Sequence, residues 1–304
     1  MKLLFVVNPI SGGVDKEPFV KNAKKLCDNY GIEYEFFYTT GKDDTKHLRT
    51  LLSETNPDRV VSVGGDGTTL FTGMALMGTY LAMGIIPLGS ANGMAVELSV
   101  NPNPREALKD IIMSKVIRGL DIIRVNKEHY SLHIGDVGLN ARIVESYEKD
   151  PNRGMITYAK YFLNELARLE PFEVHVKSDE AEYSGKVFMA GICNARKFGT
   201  GVPINYVGNP MDGRFELVMI EKIDALSLIK AGLAKFDESF LDKSTSTVMT
   251  TTHATLHFDK PRTLQLDGEV IGRFRELEVE IMPGAIHFIT HNDNPYVKKR
   301  KDQK

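Results

Sequence analysis

The run Val60-Val61-Ser62-Val63 breaks into Gly64-Gly65-Asp66-Gly67-Thr68, and a helix-compatible segment follows from about Thr69 to Leu76. A short, β-branched apolar run reads as a buried strand, and the glycine cluster as the turn that ends it. The glycines therefore sit where a strand becomes a helix. A residue without a Cβ can take a positive φ there and lets a ligand close on the main chain. Successive free N–H groups ahead of a helix N-terminus form a concavity for anions. Asp66 inside it would repel a bare phosphate and makes more sense bridged to phosphate by a cation, Mg²⁺ first among them. A tight βα turn with a polar tip is the plainer reading, since short glycine motifs recur by chance.

The flanking sequence decides between the two. Leu3–Val7 reads as a first buried strand running into Asn8-Pro9-Ile10-Ser11-Gly12-Gly13. Pro18 opens a helix to about Asn29, Glu33–Tyr38 is a strand, and Thr39-Thr40-Gly41 turns into a helix over Asp44–Glu54. After the Val60 strand comes Leu81–Pro87, then Leu88-Gly89-Ser90-Ala91-Asn92-Gly93 and a short helix from Met94. Strand and helix alternating in this way predict a parallel α/β sheet with helices on both faces. Ligands of such sheets bind beyond the carboxyl ends of the strands. Four polar or glycine-rich turns fall at those ends: Asn8–Gly13, Thr39–Gly41, Gly64–Thr68 and Gly89–Gly93. Their convergence is far more specific than any one of them.

Beyond Asn101-Pro102-Asn103-Pro104 and a helix over Arg105–Ser114 the texture changes. Val116–Val125, Tyr130–Ile134, Phe172–Val176, Tyr183–Cys193, Arg214–Ile220, His253–Phe258, Arg262–Leu266 and Leu277–Ile281 are mostly alternating short strands. They predict an antiparallel sandwich or barrel, interrupted by helices at Ile156–Leu169 and Ala225–Phe236. The expected division is residues 1–123 and 124–304, with Ala285–Thr290 free to stay in the second domain or return to the first sheet. A chain of 304 residues with 42% hydrophobic content can fill two cores. Its net charge of −2 gives no global field for nucleic acid. Cys27 and Cys193, with no secretory segment at the N-terminus, read as free thiols of a cytoplasmic protein. No apolar run approaches the ~20 residues of a membrane helix, so any membrane contact is expected to be peripheral.

Asn8-Pro9-x-Ser11-Gly12, Gly64-Gly65-Asp66-Gly67-Thr68 and Pro87-Leu88-Gly89-Ser90-Ala91-Asn92, in that order, resemble the diacylglycerol kinase catalytic family, which includes bacterial soluble lipid kinases and the sphingosine and ceramide kinases. The resemblance continues through Asp121, Asn194, Asp212-Gly213 and Leu266-Asp267-Gly268-Glu269. It implies an α/β nucleotide-binding domain akin to NAD kinases and phosphofructokinases, then a mostly antiparallel β-sandwich, with the active site in the cleft between them. It also implies ATP as phosphoryl donor, Mg²⁺ as cofactor and a lipid acceptor at the membrane surface; a homodimer stays open. By the resemblance Asn8, Pro9, Ser11 and Gly12 line the nucleotide, Thr39 and Ser90 add hydroxyls beside Asn92, and Gly64, Gly65, Asp66, Gly67, Thr68, Thr69 and Leu70 hold the phosphates. Asp212, with main-chain oxygens of Asn209 and Arg214, holds a structural Mg²⁺, and Asp121 joins the acidic network. Asp267 and Glu269 both belong to the catalytic site, one of them as the base that takes the lipid hydroxyl's proton; the sequence leaves open which. Without the resemblance, both acidic turns read as hairpins.

Two positions depart from the family pattern. Gly93 and Asn140 stand where many members carry a carboxylate. Weakened metal affinity, altered substrate preference or a degenerate kinase would each follow, although Asp66, Asp121, Asp212, Asp267 and Glu269 remain. The pairs His253/His257 and His129/His133 lack a third ligand at metal spacing. Met74, Met77, Met83 and Met94 read as core filler, and Lys298–Lys301 as a solvated basic tail. The 156–169 helix reads either as packed on the sandwich or as a lid over an acyl chain. The leading expectation is an ATP-dependent lipid kinase; the alternatives are a kinase of a soluble metabolite and a nucleotide- or lipid-binding protein without turnover.

Overall fold

The computed structural model describes residues 1–138, 141–143, 170–198, 203–222 and 246–298. The chain divides into two compact units, Met1–Asp121 with Pro283–Lys304, and Ile122–Met282. The expected helices over 156–169 and 225–236, Asn140 and the basic tail beyond residue 298 lie outside the described residues.

The first unit alternates β1 (Lys2–Val7), α1 (Glu17–Tyr30), β2 (Glu33–Tyr38), α2 (Asp44–Thr55), β3 (Arg59–Gly64), α3 (Asp66–Leu76), β4 (Ala82–Pro87), α4 (Gly93–Glu97) and α5 (Pro104–Met113). Its strands pair in parallel in the order β4–β3–β1–β2. The last turns of the 22-residue strand β14 (Glu269–Thr290) add to the β4 edge, with His287 opposite Ala82 and Phe288 opposite Met83. Apolar runs on β1, β3 and β4 are buried on both faces, as a sheet sandwiched by helices requires. One face packs Leu3, Phe5, Val7, Val61, Val63 and Ile86 on Phe19, Ala23 and Leu26 of α1 and Ala107, Leu108 and Ile111 of α5.

Helix ends follow local chemistry. Gly31 closes α1 in the left-handed region at φ 63°, and the Asn103 side chain accepts the amides of Arg105 and Glu106 at the start of α5. Helix α3 begins at Asp66 rather than near Thr69. Apolar periodicity misses its first turn because Asp66 and Gly67 are polar or lack a side chain.

The second unit is antiparallel. Its strands are the end of β5 (Val116–Val125), β6 (His129–Ser131), β7 (Ile134–Gly138), β8 (Phe172–Ser178), β9 (Glu182–Val187), β10 (Met189–Cys193), β11 (Phe215–Ile220), β12 (Ser246–Thr251), β13 (His253–Leu266) and most of β14. Strand β13 enters two layers: Ala254–Phe258 pair with β8, and Leu264–Leu266 pair with β7. A register shift between His257 and Arg262 lets one strand do both, and Pro261 is tolerated there because a bulge frees its position from donating to the ladder. The sequence reading split this strand in two. It also fused β9 with β10, which separate at Phe188, whose amide turns to the Ile220 carbonyl at 2.8 Å. Strand β12, Ser-Thr-Val-Met-Thr-Thr, escaped notice because it is β-branched but hardly apolar. Val137, Phe172, Val174, Ile192, Phe215, Leu217, Leu256, Leu264, Leu277 and Val279 from both layers share one core.

Candidate functional site

The loops that leave β1, β3 and β4 on their carboxyl side meet backbone to backbone. A Cβ on Gly89 would lie 2.3 Å from the Cα of Gly65, and one on Gly12, at φ 64°, would lie 2.7 Å from the carbonyl carbon of Gly89. Only glycine fits these contacts. The Ser11 hydroxyl accepts the Gly65 amide at 3.0 Å, which ties the first loop to the phosphate-type turn. The Asn92 side chain folds back on the fourth loop, accepting from the Gly89 amide at 2.7 Å and donating to the Gly89 carbonyl at 3.0 Å. The Asn8 amide donates to the Val63 carbonyl and the Thr39 amide to the Val7 carbonyl, so each loop is anchored to its neighbouring strand end.

Asp66 opens α3, and its two carboxylate oxygens accept the amides of Gly93 and Met94 at 2.9 and 2.8 Å. It thus caps α4 and holds the third and fourth loops together. Gly93 therefore contributes through its amide. Thr69 bonds Gly65 through both its amide and its hydroxyl. The Thr68 hydroxyl is buried in the first turn of α3 and has no hydrogen-bond partner among the described residues. Gly67, Ser90 and Pro9 are exposed, Ser11, Thr39, Leu70 and Asn92 are half-buried, and Gly64 is buried. A helix N-terminus with free amides suits a phosphate oxygen.

Lys16 has no counterpart in the sequence reading. Only 4% of it is exposed, and its ammonium donates to the carbonyls of Ser11 at 2.5 Å and Val14 at 2.7 Å. Burial lowers its pKa, partly offset by the negative charge of Asp15. A lysine at a helix start ordinarily points to water, so no local pattern would have found it.

The second unit carries the acidic turns. Asp267 and Gly268 take φ of 50° and 91° in a two-residue hairpin between Leu266 and Glu269. The Asp267 carboxylate faces the β6–β7 loop. It accepts the Ser131 hydroxyl at 2.6 Å and the amides of Leu132, His133 and Ile134 at 2.9, 3.1 and 3.2 Å. Asn194 holds the same loop by donating to the Leu132 carbonyl at 2.8 Å. Glu269 is exposed.

On the loop before β11, Asn209 accepts the Met211 amide and Asp212 the Arg214 amide, each at 3.1 Å, so the loop is folded by its own side chains. Asp212 is exposed, and the Arg214 guanidinium pairs with Glu180. One carboxylate with the main-chain oxygens of Asn209 and Arg214 would make an all-oxygen donor set, the chemistry a hard divalent cation takes. Behind it Glu216 is 3% exposed. Burial pushes its carboxyl up to about 7; Asp212 adds to the rise, and the Asn205 hydrogen bond opposes it. Asp121 belongs to the first unit. It is 2% exposed and accepts the Gly284 amide at 2.6 Å where β5 passes β14. The glycine-rich loops thus fall in one unit and the two acidic turns in the other.

Comparison with known proteins agrees with both units. Residues 2–125 match the diacylglycerol kinase catalytic domain, and residues 135–290 match the YegS C-terminal NAD kinase beta sandwich-like domain. A probable lipid kinase YegS-like of Yersinia enterocolitica serotype O:8 / biotype 1B is 27% identical over 277 residues, covering 88% of this chain and 90% of that protein. A probable lipid kinase YegS of Salmonella arizonae is 25% identical over 292 residues, covering 93% and 95%. The crystal structure of a diacylglycerol kinase from Bacillus anthracis str. Sterne superposes with a TM-score of 0.71 at 18% identity, over 96% of this chain and 98% of that one, a likeness of fold. The chain belongs to the diacylglycerol kinase catalytic family, a family of lipid kinases, in the branch that carries the YegS-type sandwich.

Proposed function

We propose that the protein transfers the γ-phosphoryl group of ATP, with Mg²⁺, to the hydroxyl of a diacylglycerol-like or sphingoid lipid, working as a cytoplasmic protein at a membrane surface. The observation that carries this reading is the packing of Gly12, Gly65 and Gly89 main chain on main chain around the open end of α3. Phosphoryl transfer needs positioning and charge neutralisation more than covalent help. The amides at the start of α3 hold phosphate oxygens. Asn8, Ser11, Thr39 and Asn92 keep the surrounding loops in place, and the exposed Ser90 offers its hydroxyl to the nucleotide. Mg²⁺, when bound, offsets triphosphate charge, and Asp212 with Asn209 and Arg214 is its proposed structural site.

Glu269 is the proposed proton acceptor for the lipid hydroxyl. Asp267 is its positioning partner, because both Asp267 oxygens are engaged by Ser131 and the 132–134 amides. The test incubates the purified protein with γ-labelled ATP, Mg²⁺ and micelles carrying a panel of diacylglycerols, sphingoid bases and ceramides. Label on one lipid class supports the reading, and Glu269→Gln should then cut kcat by about 10²-fold or more with the KM for ATP unchanged. ATP binding with no lipid labelled, or label only on a soluble acceptor, would overturn it.

A further inference from the structure

We infer that Lys16 is a positioning residue of the nucleotide site: its buried ammonium fixes the first loop so that the Ser11 hydroxyl can tie down the phosphate turn. The inference rests on the nucleotide reading above. An ammonium taken out of water costs several kcal/mol unless something compensates it. Here the direct hydrogen-bond compensation is two carbonyl dipoles, those of Ser11 and Val14, and the neighbouring Asp15 carboxylate adds a favourable charge. A charge placed this way must be useful to the loop that surrounds it. The loop it holds is left-handed at two successive residues, Gly12 and Gly13, with φ of 64° and 62°. That backbone has little of its own to stabilise it: its internal bonds, Ser11 to Asn8, Gly13 to Ile10 and Val14 to Ser11, are long at 3.4, 3.4 and 3.5 Å. The Lys16 contacts, at 2.5 and 2.7 Å, are the short ones.

The connection to the site runs through one residue. Ser11 gives its carbonyl to Lys16 and its hydroxyl to the Gly65 amide, so the orientation of one end sets the other. Gly12, next in the chain, packs on Gly89. Removing the ammonium frees the Ser11 carbonyl to turn toward water and loosens both contacts. The ties that loosen are those of the phosphate turn, so the effect is larger for ATP than for adenosine.

The test is a double-mutant cycle read by nucleotide affinity. ATP and adenosine dissociation constants are measured by calorimetry for wild type, Lys16→Met, Ser11→Ala and the double variant. The expected result is a loss of ATP affinity of about tenfold or more in Lys16→Met, a smaller change for adenosine, and a double variant little worse than Lys16→Met alone. Lys16→Arg, which keeps the charge and donors, should recover most of the ATP affinity and serves if Lys16→Met fails to fold. Additive losses in the double variant, equal losses for ATP and adenosine, or wild-type affinity in Lys16→Met would overturn the inference while leaving the kinase reading standing. A wild-type protein that binds no ATP would overturn both.

Discussion

Single residues carry the most exacting constraints. Replacing Gly89 by Ala sets a Cβ 2.3 Å from a main-chain atom of Gly65, where no side chain can rotate away. The Gly89→Ala protein should lose ATP affinity by about tenfold or more and melt lower, measured by calorimetry and thermal unfolding. Glu216 makes a different kind of constraint, because its carboxyl sits at about 7 in the fold against 4.5 ordinarily. The folded value is raised, so the stabilisation is complete below the unfolded value and fades as pH climbs through the folded one. The unfolding free energy should fall by up to about 3 kcal/mol between roughly pH 4.5 and pH 8. Urea titrations across that range should show the fall in wild type and a flatter profile in Glu216→Gln.

At the scale of elements, the short helix α4 joins distant parts of the first unit. Asp66 caps its start. Its end is held by the C-terminal segment around α6 (Pro295–Lys298): the Tyr296 hydroxyl bonds Glu97, and Asn294 donates to the Leu98 carbonyl at 3.0 Å. Asn294→Ala leaves a buried carbonyl short of a donor and should cost about 1–3 kcal/mol. Because the brace reaches Asp66 through α4, the same variant should weaken ATP binding severalfold, read alongside its stability.

The parallel core was legible because β1, β3 and β4 are short β-branched runs closed by Asn-Pro, Gly-Gly and Pro-Leu-Gly. The glycine loops were legible as turns, and their order as a family pattern. The partners were not: Asp66 finds its amides at Gly93 and Met94, and Asp267 finds its donors across a neighbouring hairpin. Lys16 lay hidden for the same reason, since its burial comes from a loop that folds over it. Strand β13 was misread because a bulge at a polar Asp-Lys-Pro looks like a turn between two strands.

In the whole molecule one unit is the proposed holder of the nucleotide and the other carries the acidic turns. Among the described residues no helix is long and apolar enough to cross a membrane. A ligand that binds only the folded protein raises its stability by mass action. Saturating ATP with Mg²⁺ at about a hundredfold over its dissociation constant should therefore add about 2.7 kcal/mol, and at the same ATP concentration the addition should drop to about 1.4 kcal/mol or less in Gly89→Ala.

The central claim, that the four loops of the first unit grip a nucleoside triphosphate, is tested most directly by amide hydrogen exchange with and without a nonhydrolysable ATP analogue and Mg²⁺. Protection is expected at Asn8–Gly13, Thr39–Gly41, Gly64–Leu70 and Gly89–Gly93. Unchanged exchange in those loops while the analogue is bound, or protection elsewhere alone, would contradict it.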